Sequence, residues 1–252
     1  MDARLKNTVH VWFTRLDGDP GLVESAYAML SSEERARADR FRFPGLRARF
    51  ILSHAIGRIL LSQACAAPAR ELTFSTGPQG KPFLGGEFSR VKFNLSHAGD
   101  MAAYAITTEG DVGIDIEELR SLPDHLDIAR RFFSELEYQD LMSLPEGERM
   151  AGVFRLWVRK EAYIKAVGEG LSIPLRRFRV SIAAGQARIL EAYGDDASRW
   201  RLHEFHPAPE YVAALALRDT QCAVCEHPTA SGEEIIRSGA AAARLPVTEL
   251  SG

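Results

Sequence analysis

At residues 112–117 the chain reads VGIDIE, in which apolar residues alternate with a glycine and two acids. Because successive side chains of a β-strand point to opposite faces, the valine and two isoleucines would face a core, while Gly113, Asp115 and Glu117 face the other side. The two carboxylates would lie about 7 Å apart along the strand and would repel each other. A hard divalent cation relieves this repulsion, and Mg²⁺ binds carboxylate and phosphate oxygens. A solvent-facing strand with ordinary acids is the alternative for this stretch alone.

Helices and strands are predicted on both sides of this strand. Before it, hydrophobic periodicity predicts a helix at 46–66 and strands at 9–13, 73–75, 93–96 and 102–106, and a capping box of Ser31 and Glu34 predicts another helix start. After it, we expect helices at 124–132, 134–143 and 147–167 and strands at 177–182, 187–192, 199–205 and 211–218. The two longest helices occupy similar places, which predicts a loose repeat of two halves, residues 1–108 and 109–228. Residues 229–252 form a tail that is either mobile or a peripheral helix.

Bulk composition indicates a globular protein and argues against several functions. The 252 residues are 46% hydrophobic and 26% charged, which fits one large domain or two small ones. The formal net charge of −3 gives no general support for nucleic-acid binding. The N-terminal segment lacks the apolar stretch of a signal peptide, and no run of about 18 apolar residues follows. We therefore expect a cytoplasmic protein with neither membrane nor nucleic-acid partners.

The cysteines indicate a reducing compartment. Cys65, Cys222 and Cys225 are too few, and odd in number, for a disulfide scaffold. Cys222 and Cys225 form a lone CxxC in a segment that reads as a strand. Positions i and i+3 of a strand face opposite sides, so a shared metal or redox role for this pair is not expected.

The predicted helix 147–167 carries a second group of functional candidates. Trp157, Glu161 and Lys165 are spaced i, i+4 and i+8, so they share one helix face. A surface salt bridge between Glu161 and Lys165, with a core tryptophan, explains the spacing without any function. A functional interpretation makes Glu161 a third oxygen ligand or a base, and Lys165 a partner for phosphate.

Residues 94–100, NLSHAGD, end a predicted strand in a turn. Ser96 and His97 could bind a phosphate there through the hydroxyl, the imidazole and loop amides. A Ser–His nucleophilic pair is disfavoured, because adjacent residues of an extended chain point apart. A loop histidine without function is the remaining alternative.

Basic residues gather before these motifs. Arginine's planar fork suits phosphate oxygens, although a solvated basic helix is the commoner cause of such runs. The candidates are Arg35, Arg37, Arg40, Arg42, Arg47, Arg49 and, further on in a Gly-Lys-Pro loop, Lys81.

In combination the motifs are specific. The order of basic helices, GKP, NLSHAGD, VGIDIE and WxxKExxxK resembles the 4′-phosphopantetheinyl transferases of the larger, monomeric, Sfp-like type, over roughly residues 30–182. The resemblance implies an α+β fold of two similar halves that form a pseudo-dimer, with the cofactor in the cleft between them. It also implies transfer of the phosphopantetheine arm of coenzyme A to a serine of an acyl or peptidyl carrier protein, with release of 3′,5′-ADP.

The resemblance implies roles for particular residues. Mg²⁺, with Mn²⁺ as an alternative ion, would be held by Asp115, Glu117 and Glu161. The catalytic residues would be Glu161, Lys165 and Asp115. The coenzyme A contacts would come from Arg37, Arg49, Lys81, Ser96, His97 and Lys165, with His97 and Arg49 near the 3′-phosphate.

One position departs from the family pattern. Glu34 stands where relatives can carry lysine, so either helix capping prevails there or Arg35 and Arg37 carry the phosphate contact. Two other functions remain to be separated by experiment. A metal-dependent pyrophosphatase would use the same acids but pass the phosphate to water, and a non-catalytic coenzyme A-binding module would not need Asp115 or Glu161.

Overall fold

The computed structural model describes residues 5–219 and 221–242, which form seven helices and twelve strands. The helices are α1 (Pro20–Met29), α2 (Ser32–Ala38), α3 (Pro44–Cys65), α4 (His125–Phe132), α5 (Glu135–Ser143), α6 (Glu146–Val167) and α7 (Gly232–Ala242). The strands are β1 (Thr8–Arg15), β2 (Phe74–Thr76), β3 (Pro82–Leu84), β4 (Lys92–Ala98), β5 (Met101–Thr107), β6 (Asp111–Glu118), β7 (Arg179–Val180), β8 (Ile189–Glu191), β9 (Trp200–Phe205), β10 (Tyr211–Arg218), β11 (Ala223–Glu226) and β12 (Ala230–Ser231).

Two sheets pack face to face between two long helices. The first sheet has the order β11-β1-β5-β4, with β12 also on β1, and the second has the order β6-β10-β9. Alternate residues such as Val11, Phe13, Ile114 and Leu215 fill one apolar core between the sheets. Helix α3 covers the outer face of the first sheet, and α6 covers the outer face of the second. The fold is therefore a mixture of helix and strand, as expected.

The long helices are confirmed, with small shifts at their ends. Helix α3 begins at Pro44, two residues before the predicted start, because proline is tolerated in the first turn, where its missing N–H has no partner to lose. It ends at Cys65, and the capping residue Ala66 adopts a left-handed conformation with φ of 51°. The capping box at Ser31 is also confirmed: Ser31 Oγ accepts from the Glu34 amide at 3.2 Å, and Glu34 accepts from the Ser31 amide at 2.8 Å.

One helix and the pairing of one strand were not predicted. Helix α1 begins after an Asp19 cap, whose carboxylate accepts from the Leu22 amide at 2.8 Å. Strand β11 pairs in parallel with β1, so it belongs to the first sheet although its residues follow the second. In the tail, for which a peripheral helix was one of two expectations, residues 232–242 form helix α7, and residues 243–252 lie outside the described part of the chain. Within the described ranges, no helix combines the length and apolarity needed to cross a membrane.

Candidate active site

Strand β6 lies against α6 at unusually close range, and Gly113 permits the contact. A Cβ atom at position 113 would lie 2.2 Å from the Ala162 carbonyl oxygen and 2.3 Å from the Ala166 nitrogen. Any other residue would therefore push the helix away from the strand. Asp115 and Glu117 follow on the same strand face, so they meet the helix face that carries Glu161 and Lys165.

Lys165, Asp115 and Ser96 form a closed hydrogen-bonded group at the junction of α6, β6 and β4. Lys165 Nζ lies 2.6 Å from Asp115 Oδ1 and 2.9 Å from Ser96 Oγ. The Ser96 hydroxyl donates to the same Asp115 oxygen at 2.8 Å. Lys165 therefore pairs with Asp115, whose side chain is only 6% exposed. This pair differs from the surface salt bridge between Glu161 and Lys165 that was the alternative to a functional role.

The carboxylates around this group carry more negative charge than Lys165 balances. Asp115 Oδ2 is buried without a hydrogen-bond partner among the described residues. Burial, and then the charge of Asp115, raises the pKa of Glu117 from 4.5 to about 7. The same two causes raise the pKa of Glu161 to about 7. A hard divalent cation would stabilise this arrangement of a buried, unpartnered oxygen beside two carboxylates with raised pKa values. The all-oxygen donor set suits Mg²⁺.

Ser96 and His97 are adjacent on β4, and their side chains have different surroundings. Ser96 is buried and bonded to Asp115, whereas the His97 side chain is exposed. Neighbouring groups still remove part of the hydration of the ring, and this loss, followed by the charges of Lys165 and Arg37, lowers the pKa of His97. The ring therefore stands in a positive environment. Arg49 contributes in the same direction. The hydroxyl and the ring therefore do not form a nucleophile–base pair with each other.

Asn94 has a role that we did not predict. Its side-chain oxygen accepts from the Ile114 amide at 2.8 Å, which ties β4 to β6 next to Asp115. Asn94 and Ser96 share a face of β4, and both are buried. The sequence did contain a signal for this contact, because two polar residues spaced i and i+2 on a strand lie on the same face.

Lys81 reaches across the molecule from the β2–β3 turn. Its Nζ donates to the carbonyl oxygens of Val112 at 3.0 Å and Ala166 at 3.1 Å. These bonds engage two of the three ammonium donors and fix the turn against β6 and the end of α6. Burial lowers the pKa of Lys81 to about 8, so the side chain is still mostly charged at neutral pH.

The basic run divides into structural and exposed members. Arg35 donates to the carbonyls of Tyr27 at 3.1 Å and Ala28 at 2.7 Å, so it secures α1 against α2. Arg37 and Arg49 are exposed, and the Arg37 guanidinium lies 5.2 Å from the centre of the Phe50 ring.

Glu34 does more than cap α2. It also forms an ion pair of 2.7 Å with the buried Arg58, which explains an acid at this position.

A cavity of about 1030 Å³ opens between α2, α3 and β4. Its wall includes Arg37, Phe50, Asn94 and His54. We did not single out His54, whose pKa is lowered to about 4, chiefly by burial. The cavity adjoins the Ser96–Asp115 junction through Asn94 and combines apolar walls with a basic edge.

Comparisons with known proteins identify the family of the chain. A family model described as 4′-phosphopantetheinyl transferase, N-terminal, matches residues 20–109, and one described as 4′-phosphopantetheinyl transferase superfamily matches residues 111–225. The 4′-phosphopantetheinyl transferase HetI of Nostoc sp. is 36% identical over 84% of this chain and 89% of its own length. The 4′-phosphopantetheinyl transferase psf-1 of Bacillus pumilus is 38% identical over 84% and 85%. Sfp of Bacillus subtilis is 34% identical over 62% and 69%.

The sequence motifs and the extent of these matches indicate the same family. Both halves of the chain are covered, and relatives above 30% identity match most of their own length. The chain belongs to the 4′-phosphopantetheinyl transferase superfamily and is an enzyme that transfers phosphopantetheine to carrier proteins.

Proposed function

We propose that the junction of β4, β6 and α6 is the catalytic centre, and that coenzyme A binds there with Mg²⁺ or, alternatively, Mn²⁺. The observation that carries this proposal is the buried, unpartnered Oδ2 of Asp115, next to two carboxylates with raised pKa values. Asp115, Glu117 and Glu161 would hold the ion. When bound, the ion would neutralise and orient the pyrophosphate of coenzyme A.

Glu161 is the best candidate for the general base. Its pKa of about 7 in the site without an ion means that this carboxylate can hold a proton near neutral pH. Its role as a metal ligand competes with its role as a base, because a carboxylate bound to the ion is a weaker base. The carrier serine oxygen would form a bond to the phosphorus that bears the pantetheine arm, and its proton would pass to Glu161. The bond from that phosphorus to the bridging oxygen would break. Lys165 would stabilise the negative charge on the departing 3′,5′-ADP.

The positive groups around His97 would bind the remaining phosphate of coenzyme A. His97, Arg37 and Arg49 are close enough for the arginines to lower the pKa of the histidine, and a phosphate between them would relieve that repulsion. Ser96 would position Asp115 and contact a phosphate oxygen. The third donor of Lys81 would lie along the nucleotide.

The chain order supports two halves related by a pseudo-twofold axis, with a boundary near residue 108. In each half a first strand precedes a helix of 22 residues, which is followed by a separate short strand pair and then by two longer strands. The resulting sheet orders are β1-β5-β4 and β6-β10-β9. Residues 1–108 would bind the nucleotide and phosphates, and residues 109–228 would carry the metal site. Such a chain supplies both halves of the cleft and would act as a monomer.

Mass spectrometry of carrier proteins tests the proposed chemistry. Acyl and peptidyl carriers are incubated with enzyme, coenzyme A and Mg²⁺, and each accepted carrier should gain the mass of one phosphopantetheine with release of 3′,5′-ADP. Asp115→Asn should abolish the gain. Hydrolysis of coenzyme A without carrier modification would indicate a pyrophosphatase. Binding of coenzyme A without either product would indicate a binding module.

A further inference from the structure

A second cluster of side chains that can bind a metal lies on the first sheet, where β1 pairs with β11. His10 is on β1, Cys225 is on β11 and His227 directly follows β11. One ligand atom from each residue lies within 4.8 Å of the other two. All three side chains are half-buried, so an ion could reach them while being partly shielded from water.

The parallel register of β1 and β11 brings these residues together. His10 is the direct partner of Cys225 in the ladder, and directly opposed residues point to the same sheet face. His227 lies two positions beyond Cys225, and its amide donates to the Val11 carbonyl at 2.9 Å, which extends the pairing. Cys222, by contrast, is buried in the core between the sheets. The CxxC pair is therefore split as expected, and Cys225 meets two histidines instead.

The distances suit a tetrahedral ion after a small adjustment. His10 Nδ1 lies 2.8 Å from His227 Nε2, and Cys225 Sγ lies 4.0 Å from the same nitrogen. Around tetrahedral zinc, two nitrogens are about 3.3 Å apart, and a nitrogen and a sulfur about 3.5 Å. Both distances that involve His227 are within about half an ångström of these values, and the Cys225 and His10 ligand atoms lie within 4.8 Å of each other. Side-chain rotation could therefore bring the three atoms to ligand positions.

Trp12 holds one ligand ring in place. Its ring stacks on His227 with centroids 4.4 Å apart and planes 5° from parallel, and it also stacks on His10 at 5.7 Å. Outer contacts that fix the orientation of a histidine ligand raise the affinity of a metal site. The cluster is separate from the catalytic junction, because β5 lies between β1 and the β4 strand that carries Ser96.

We propose that His10, Cys225 and His227 bind one borderline-soft divalent ion of the zinc class, with a fourth position open to water. Thiolate and imidazole ligands select such an ion over Mg²⁺, which prefers oxygen. The bound ion joins β1 to β11, so it fastens the C-terminal segment of the chain to the first sheet. Its expected effect is on stability, since a ligand that binds only the folded state raises the Tm.

Cobalt titration tests this site, because Co²⁺ bound to a thiolate absorbs in the near ultraviolet and Co²⁺ bound to carboxylates does not. The full chain, stripped with a chelator and kept reduced with a phosphine, should bind one Co²⁺ with thiolate absorption, and Zn²⁺ should displace it. Cys225→Ser and His227→Ala should abolish the absorption. Cys65→Ser, which changes a buried thiol elsewhere, and Asp115→Asn should retain it.

Melting temperature gives a second measurement. Zn²⁺ should raise the Tm of the Asp115→Asn protein by a few degrees, and this rise should vanish when Cys225→Ser is added. If Cys225→Ser does not fold, His10→Gln replaces it in both measurements. Absence of thiolate absorption in the unsubstituted protein, or its persistence in the ligand variants, would overturn the proposal. Neither result depends on transfer activity, so the test is independent of the proposed catalytic centre.

Discussion

Lys165 Nζ lies 2.6 Å from Asp115 Oδ1, although the two residues are 50 positions apart in the sequence. The contact joins the last turn of α6 to the middle of β6. It uses one oxygen of Asp115 and leaves the other, Oδ2, buried without a partner in the described part of the chain. Lys165 therefore neutralises Asp115 only in part, which leaves room for a cation that also serves Glu117 and Glu161.

Asp115→Asn is expected to abolish transfer while the fold survives. The amide has the shape of the carboxylate but lacks its charge and one acceptor oxygen, so the ion would lose a ligand. Holo-carrier formation by mass spectrometry and the circular dichroism melt measure the two effects. Near-normal transfer at saturating Mg²⁺ would refute the role of Asp115 as a metal ligand.

Lys165→Ala is expected to lower kcat by about 100- to 1000-fold, because one charge contact to the leaving group is removed. The loss of stability should be smaller than the loss of turnover, because the Lys165 side chain is 28% exposed and water can in part replace it beside Asp115. Steady-state kinetics and a thermal melt separate the effects, and Lys92→Ala on exposed Lys92 of β4 is the control. A variant that loses only stability and keeps its rate would make Lys165 a structural residue.

Lys160→Ala should mainly lower the stability of the protein, in contrast to Lys165→Ala, which should mainly lower kcat. Lys160 lies in the same motif, but its Nζ is fully buried, 2.7 Å from the buried Glu137 carboxylate and bonded to two carbonyl oxygens. Removing the lysine leaves a buried charge, at a cost of about 3–5 kcal/mol in the free energy of unfolding. Urea denaturation measures this loss. The double variant Glu137→Gln/Lys160→Met should recover part of it, and equal loss in both would argue against the ion pair as the cause.

Mg²⁺ binding should strengthen as the pH rises through about 7, where Glu117 and Glu161 lose their protons. The folded protein, without metal, holds protons that the unfolded chain has already released above pH 4.5. Its stability should therefore fall as the pH rises between these values. The rise in Tm on adding Mg²⁺ should be larger near pH 8 than near pH 6, because at pH 6 the ion must first displace protons from these glutamates. A rise that does not depend on pH would exclude these glutamates as ligands.

Gly113→Ala tests the close approach of β6 and α6. The added methyl would meet the helix backbone at 2.2 Å, so the helix must move, at a cost of about 1–3 kcal/mol or more. Mg²⁺ affinity, measured by calorimetry, should fall as well, because Glu161 and Lys165 move with the helix. Gly45→Ala is the matched control, since a Cβ there meets nothing within 4 Å. Unchanged Mg²⁺ affinity in Gly113→Ala would contradict the coupling.

Local pattern predicted most of the elements around the site. The alternation at 112–117, the helical spacing of 147–167 and the capping box at Ser31 were all confirmed, because each depends on neighbours within one strand or helix turn. Helix α1, the short strands β3 and β12, and the pairing of β11 were not predicted. Strands β11 and β12 pair with β1, which is distant in the chain, whereas β3 pairs with the neighbouring β2 and has only three residues.

The sequence by itself determined which side chains share a face within one strand or one helix, because strand and helix periodicity fixes this. It placed Asp115 with Glu117, and Glu161 with Lys165, but it left the partner of each pair open. Only the tertiary structure decided that Lys165 turns to Asp115 and Ser96, that Lys160 is buried with Glu137, and that Cys225 meets His10 and His227. The physical reason is that these contacts join elements distant in the chain, and their distances are set by the packing of the helices and sheets.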